Sequence, residues 1–434
     1  MKDVLTLNFP YYYDDEIKEE WFKFVMNFQQ VTSPVMAKGV EDTAFYIYNR
    51  LISLNEVGGD PEIFGITVEE FHNENIDRAM NWSYALLATS THDTKRGEDL
   101  RSRINVLSEL PELWRQSLTS WRSLNMRKKS LLGESLVPND NEEYLLYQTL
   151  LGAWPNEEMD NKQYEGFKNR IKEYMVKAIR EAKINSNWIN PDYTYEHYVV
   201  GFINDIFSPI PENIFLREFI ALKKQISLFG MFNSISQMLL KITSVGVPDF
   251  YQGTEFWTYT LVDPDNRRAI DYDKRIQTLA ELKKSEQEFD RKILAKQLTE
   301  NMWDDRIKMY LIYKALNYRK TNRMVFEEGD YVPVYARGDK SNCICAYARV
   351  LKNKIVLVVV PRFFTKLVRQ SDCLPFGESV WRKTFIVLPN EIKAIGYKNI
   401  FTDEIVVPQK NKQRDIIYVS NIFINFPIAM LETY

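Results

Sequence analysis

Apolar residues recur at helical spacing in several long stretches, and polar caps or Gly/Pro loops bound each one. Helical spacing runs from Asp14 to Asn27. From Glu41 to Leu54 it places Phe45, Tyr48, Leu51 and Ile52 on one stripe, which predicts a second helix. The loop Asn55-Glu56-Val57-Gly58-Gly59-Asp60-Pro61 interrupts it, and Thr67-Val68-Glu69-Glu70 has the form of a capped helix start. Ala85 to Ala88 is a short apolar run and predicts a strand. Between Gly97 and about Asn233 the chain is helix-rich, with helices expected from Pro111, over 142–151, over 164–182 and over 212–228. This is too long for one barrel helix and predicts an inserted helical subdomain. Ser234 to Ile242 then passes into Gly246-Val247-Pro248-Asp249, a second helix-to-strand transition. Lys274 to Tyr318 is helical and charged. Beyond about Met324 the period changes to alternation at Tyr331–Tyr335, Cys343–Ala348, Ile355–Val360, Thr384–Leu388 and Ile416–Val419, which predicts an antiparallel β-sandwich over 325–434. The basic run Lys410 to Arg414 reads as a solvated turn.

Composition narrows the classes. The chain has 434 residues, 45% of them hydrophobic, enough for two or three domains with sizeable cores. Fifty-six basic against 59 acidic residues leave a net charge of −3, so no basic footprint for nucleic acid is expected. The three cysteines, Cys343, Cys345 and Cys373, argue against a disulfide framework and for a reducing compartment. Met1-Lys2-Asp3 begins no signal peptide, and no run of 18 apolar residues exists, so a soluble, cytoplasmic chain without a membrane partner is expected. Aromatic residues make up 14%. Flat rings stack on apolar sugar faces, but large cores use them too.

Three polar clusters could carry chemistry. In Thr89-Ser90-Thr91-His92-Asp93-Thr94-Lys95-Arg96 the apolar run at Ala85–Ala88 passes abruptly into dense polarity, as a buried strand does on surfacing at an active-site rim. A histidine beside a carboxylate there can bind vicinal sugar hydroxyls, and the carboxylate can steady positive charge developing on a sugar ring. It can equally be a polar loop with a structural His92 hydrogen bond. Lys38-Gly39-Val40-Glu41-Asp42-Thr43, running to Tyr46 and Arg50, is either a helix-start cap or a set of hydroxyl ligands. Asp249 to Glu255, with Tyr251 and Gln252, is followed by Asp263-Pro264-Asp265-Asn266-Arg267-Arg268; this is either a turn or a group of charged donors and acceptors for a sugar. No nucleophile elbow, P-loop or His-Glu-x-x-His occurs, and His72, His92 and His197 are too few for a histidine-rich metal site, so no cofactor and no metal are expected.

Longer stretches carry a resemblance. Val35-Met36-Ala37-Lys38-Gly39-Val40-Glu41-Asp42-Thr43-Ala44-Phe45-Tyr46, Asn55 to Pro61, Ala88 to Asp99 and Arg103 to Glu109 resemble the maltooligosyl trehalose synthases of the α-amylase superfamily, glycoside hydrolase family 13. So do Gly246 to Glu255 and Leu261 to Arg268. The resemblance implies the C-terminal part of a (β/α)8 barrel: late barrel elements over 1–96, a helical insertion over 97–233, the last barrel strand and helix over 234–324, then the sandwich. It implies an intramolecular transglycosylation in which the reducing-end α-1,4 bond of a maltooligosaccharide becomes an α,α-1,1 bond. In such a retaining reaction a carboxylate attacks the anomeric carbon while an acid protonates the leaving glucose. The glucose then turns and attacks through its own O1, with water kept out. Asp93 would be the third catalytic carboxylate and His92 its partner on the same sugar. Lys38, Glu41, Asp42, Tyr46, Arg50, Asn55, Glu56, Thr91, Lys95, Arg96, Tyr251, Gln252, Glu255, Asp263, Asn266 and Arg267 would bind substrate.

The motifs of the superfamily's nucleophile and acid, an Arg-x-Asp-His-like segment and a later Glu, do not occur. Asp205, in Phe202-Ile203-Asn204-Asp205-Ile206-Phe207, lacks the arginine and follows the His92-Asp93 motif, so it is rejected. The expected partners are therefore an α-glucan substrate and an N-terminal fragment or chain that completes the barrel. A partial barrel is also expected to expose sheet edges and apolar surface. The alternative is a catalytically inactive glucan-binding or interaction protein.

Overall fold

The computed structural model describes residues 1–209, 212–368 and 373–434. Helix α1 (Asp15–Val35) is capped by Asp14, whose Oδ1 accepts from the Ile17 amide at 2.9 Å. Helix α2 (Val68–Asn81) begins with the reciprocal bonds that its Thr67-x-x-Glu70 pattern predicts: the Thr67 hydroxyl accepts the Glu70 amide, and Glu70 accepts the Thr67 amide at 2.6 Å. Strand β1 (Leu86–Leu87) follows. Then come helices α3 (Glu98–Asn105) and α4 (Pro111–Asn125), the hairpin β2 (Ser130–Leu132)–β3 (Ser135–Val137), and helices α5 (Asp140–Ala153), α6 (Asn161–Ala182), α7 (Tyr193–Ile206) and α8 (Ile214–Thr243). Strand β4 (Val247–Pro248) returns to pair in parallel with β1, Leu86 opposite Val247. Among the described residues these two strands pair only with each other.

Helix α8 is the spine. From Ile226 onward it is buried nearly all round, while its first half keeps a polar face with Arg217, Glu218 and Lys224 exposed. Gly230 lets it cross α3 at close range: a Cβ there would lie 2.7 Å from Arg103 Cα. At its end Gly246, at φ +126°, passes so near β1 that a Cβ would sit 2.7 Å from the Ala85 carbonyl oxygen. Both contacts set the loop between β1 and α3 in place, because they fix its two ends.

Helices α9 (Tyr272–Glu288), α10 (Arg291–Glu300) and α11 (Arg306–Thr321) lead to the C-terminal strands β5 (Asp330–Arg337), β6 (Ile344–Leu351), β7 (Lys354–Pro361), β8 (Phe385–Leu388), β9 (Tyr397–Asn399), β10 (Ile405–Val406), β11 (Gln409–Asn411), β12 (Arg414–Tyr418) and β13 (Ala429–Thr433). All pairings are antiparallel, in the order β10-β9-β13-β7-β6-β5-β8-β12-β11. The strands form one continuous series rather than two separate ladders. Strand β5 makes the join, pairing through Asp330–Val334 with β6 and through Tyr335–Arg337 with β8. Strand β7 is buried from Ile355 to Pro361 and β6 from Ile344 to Ala348, so this centre reads as an unbroken apolar run.

Several elements differ from the sequence reading. Glu41–Leu54 is not a helix but a string of short turns, Ala44–Tyr46 and Ile52–Leu54 among them. Side chains capture the backbone groups that a helix would pair internally. Asn55 donates to the carbonyls of Phe45 (2.9 Å) and Tyr48 (2.7 Å), while Gln148 accepts from the Ile52 amide (3.0 Å) and donates to the Asn49 carbonyl (2.9 Å). Helix α8 runs unbroken across position 233, where a boundary was expected. In agreement with the sequence reading, Lys274–Tyr318 is helical, as three helices, and the basic run 410–414 is the exposed tip of the β11–β12 hairpin. One apolar cluster extends from Tyr46 to Leu431, joining helices and sheet.

Apolar surface is left open on α1 and around β1. Val25 is the one buried residue of α1, with Phe22, Phe24 and Phe28 exposed. Trp82, Tyr84 and Leu86, around β1, are about 70% exposed. No helix of the described residues is long and apolar enough to cross a membrane.

Candidate active site

The loop 88–97 leaves the C-terminal end of β1, where the chemistry of parallel-strand folds is placed. Its conformation is set by its own side chains. The Thr94 hydroxyl donates to the Thr91 carbonyl at 2.8 Å and accepts the Thr91 amide at 3.2 Å, and the Thr91 hydroxyl accepts the Asp93 amide at 3.2 Å. His92 and Asp93 sit at the tip, both exposed. Asn266, buried on the facing loop, donates to the His92 carbonyl at 2.9 Å and ties the tip down.

Glu56 holds the base of the loop. Its carboxylate accepts the amides of Lys95 (2.6 Å) and Arg96 (3.0 Å), and Arg101 pairs with it at 2.8 Å. Arg96 is sealed in the interior and donates to the carbonyls of Ile52 (3.1 Å) and Asn55 (3.4 Å) and to the Tyr174 hydroxyl (2.8 Å). Tyr46 and Asn55 are buried, and burial pushes the Tyr46 phenol up. Glu41, also buried, accepts the Gly58 amide at 3.0 Å. Of the residues expected to bind substrate, Asn55, Glu56 and Arg96 make contacts that support the loop, while Glu41 braces the neighbouring Gly58 turn and Tyr46 is packed in the interior.

A charged row lies beside the tip. Asp42 accepts from Lys38 at 2.6 Å and from the largely buried Lys95 at 2.9 Å, and Lys95 Nζ is 3.8 Å from Asp93. Partial burial alone pushes the Asp42 carboxyl up, but the hydrogen bonds from Lys38 and Lys95 outweigh it and hold it below the ordinary aspartate value. The Asp42 bond in turn holds Lys38 above the ordinary lysine value. The Lys38–Asp42 pair therefore stays charged through the neutral range. Sequence reasoning missed Lys183, whose Nζ donates to the Thr43 hydroxyl at 2.9 Å across 140 residues.

Beneath the loop is a sealed ionic cluster that the sequence reading did not single out. Lys308 Nζ, from α11, donates to Glu98 (2.9 Å) and to both Asp99 oxygens (2.8 and 2.7 Å). Lys241, from α8, reaches Glu98 at 3.3 Å and the Thr89 hydroxyl at 2.8 Å. The Ser90 hydroxyl accepts the Glu98 amide at 3.0 Å, and Asp99 accepts the Thr258 amide at 2.7 Å and the Ser234 hydroxyl. Burial raises the Glu98 carboxyl, but Lys308 and Lys241 overcome this and bring it down to about 2. Glu98-Asp99 resemble ordinary acids at a helix start. The signal that marks them is their pairing with lysines some 140 and 210 residues away, which no local pattern carries.

The remaining expected residues separate. Tyr251 and Gln252 meet Thr91 and Thr94 across a gap of only about 30 Å³, room for roughly one water. Glu255 pairs with Arg275 at 3.1 Å, and Asp263 with Arg267 at 2.6 Å near the surface. Asp265, between the latter two, is held by Arg170 at 2.7 and 2.8 Å. Arg50 faces away from the loop, over the Phe64 ring at 5.5 Å.

This combination is a carboxylate presented at a strand end over a charged, internally braced floor. It can bind several hydroxyls and stabilise a cationic centre. Over nearly its whole length the chain shares this fold with solved enzymes. The maltooligosyltrehalose synthase of Arthrobacter ramosus superposes with a TM-score of 0.74 at 30% identity, covering 94% of this chain and 46% of that one. Another maltooligosyl trehalose synthase crystal structure gives 0.70 at 33% identity, covering 97% and 50%. A hypothetical maltooligosyl trehalose synthase of Sulfolobus tokodaii gives 0.68 at 31%, covering 97% and 49%. Putative maltooligosyl trehalose synthases of two Mycobacterium tuberculosis strains are 33% identical over 356 residues, 81% of this chain and 41% of theirs. No protein-family model matches the chain. The chain is thus similar, along most of its length, to maltooligosyl trehalose synthases, and it spans between 41% and 50% of the relatives it matches.

Proposed function

We propose that this chain supplies one part of the active site of a maltooligosyl trehalose-forming glucosylmutase of the α-amylase superfamily, with the nucleophile and acid supplied by a barrel-completing N-terminal portion. The observation that carries the reading is Asp93, exposed at the tip of the loop that follows β1, with its amide held by the Thr91 hydroxyl, the adjacent His92 carbonyl held by Asn266, and Lys95 Nζ 3.8 Å from its carboxylate. Asp93 grips ring hydroxyls of the distorted sugar and steadies its oxocarbenium-like state. His92 hydrogen-bonds the same sugar. Lys95, Asp42 and Lys38 continue the row outward and hold the leaving glucose while it turns, so that O1 rather than water attacks. Asn55, Glu56 and Arg96 keep the loop in register. Exposed β1, Trp82, Tyr84 and the open face of α1 support a completing partner, since an unpaired parallel edge and an apolar helix face call for a cover.

Substitution tests the role of Asp93. With the completing portion present, Asp93→Asn is expected to lower formation of trehalose-ended product by about 10²–10³-fold while the fold survives. Near-normal turnover contradicts the assignment.

A further inference from the structure

A cavity of about 840 Å³ lies outside the site just described, and none of its lining residues belongs to the Asp42–Lys95–Asp93 row. Its volume is that of a ligand pocket rather than a packing defect. Helices α4 and α5 form one wall, and the turn segment after Tyr46 forms the other through Arg50 and Leu51. That same segment, through Asn55 and Glu56, holds the His92–Asp93 loop. The two features thus share a wall but not a floor.

Its chemistry is mixed in a particular way. Trp114 and Tyr144 lie with ring centroids 5.9 Å apart and planes within 31° of each other, and Trp114 Nε1 donates to the Tyr144 hydroxyl at 3.2 Å. The Tyr144 hydroxyl donates in turn to the Arg50 carbonyl at 3.0 Å, so this aromatic wall is held rigid. Phe64, half exposed, stands across the mouth beneath the Arg50 guanidinium. Arg115 and Arg122 complete the rim, but neither is a free charge. Arg115 is paired with Glu112 at 2.6 Å, and Arg122 with Asp140. A phosphate would meet these carboxylates. A purely apolar guest would desolvate the guanidiniums without replacing their hydrogen bonds. A sugar offers both a flat C–H face for the rings and an edge of hydroxyls for planar donors and acceptors.

We propose that this pocket is a second carbohydrate site, which takes a stretch of α-1,4-glucan. It rests on the proposed function for its choice of glucan. The site would retain the polymer through Phe64, Trp114 and Tyr144 while the reducing end is worked on elsewhere.

The test is calorimetric titration of the full chain with maltoheptaose, with circular dichroism to check each variant's fold. Phe64→Ala and Arg115→Ala change exposed side chains and are expected each to weaken binding about tenfold, whereas Arg323→Ala, at an exposed arginine outside both sites, leaves it in place. Retained binding in Phe64→Ala and Arg115→Ala, with loss in Asp93→Asn, overturns the pocket and leaves the proposed function standing. Absence of maltoheptaose binding to the unaltered chain also overturns the pocket. Binding of an apolar dye at the pocket that maltoheptaose does not displace overturns it in favour of an apolar occupant.

Discussion

Two groups of lysines and carboxylates lie on either side of one loop, and burial gives them opposite tasks. Lys308, Lys241, Glu98 and Asp99 are shut away from water, and every charge faces a countercharge or a hydrogen-bond donor. Lys38, Asp42, Lys95 and Asp93 use the same chemistry, yet exposure rises from 3% at Lys95 to 75% at Lys38. The first group can only hold structure, since no ligand reaches it. The outer members of the second, Lys38 and Asp93, can exchange a protein partner for a sugar hydroxyl at small cost, because surface ion pairs are worth little to the fold. Side-chain type alone does not separate the two.

The comparison breaks most visibly at Lys308. Lys308→Ala leaves two buried carboxylates facing a single lysine and is expected to cost about 3–5 kcal/mol in denaturant unfolding. A loss under about 1 kcal/mol would mean that the cluster is not what anchors the loop. Lys38→Ala, which removes the exposed end of the row, is expected to cost under about 1 kcal/mol of stability, and Asp42→Asn more, because Lys95 is buried against Asp42. The larger effect of both is a rise in free glucose relative to trehalose-ended product when the completing portion is present, read by chromatography. An unchanged ratio removes the row from the reaction.

Acid should separate the groups too. Glu98 falls to about 2 in the fold, so its ionisation contributes stability above the unfolded carboxyl value. That contribution is lost as pH falls from the ordinary carboxylate range toward about 2. Glu98→Gln should flatten the stability profile below about pH 4.5. A further pH effect is at Lys223, where burial, helped by Arg103, brings the ammonium down to about 7. Between there and the ordinary lysine value the unfolded chain binds the extra proton, so stability rises with pH across that window. Lys223→Met is expected to abolish this slope and to stabilise the neutral fold by about 1–2 kcal/mol.

Local signals carried much of the fold. The Thr67-x-x-Glu70 capping box, Pro111 at a helix start and the alternating C-terminal runs all mark real elements. The polar burst at residues 89–96 marks a loop at a strand end. What escaped depends on distant partners. The stripe of Phe45, Tyr48, Leu51 and Ile52 has helical spacing, but Asn55 and Gln148 claim its backbone. Arg96 and Arg50 stand among the same motifs, yet one is driven into the core by the Ile52 carbonyl and Tyr174 while the other turns to Phe64. The buried lysines of α8 and α11 look, in sequence, like any solvated charge.

The central claim is that Asp93 serves a reaction whose other carboxylates come from a barrel-completing portion. Incubation of the chain with maltopentaose, alone and together with such a portion carrying the Arg-x-Asp-His and Glu motifs, tests it most directly, with a non-reducing product as the readout. The account predicts product from the mixture and none from the chain alone. Product from the chain alone, or a mixture that binds maltopentaose and yields none, contradicts it.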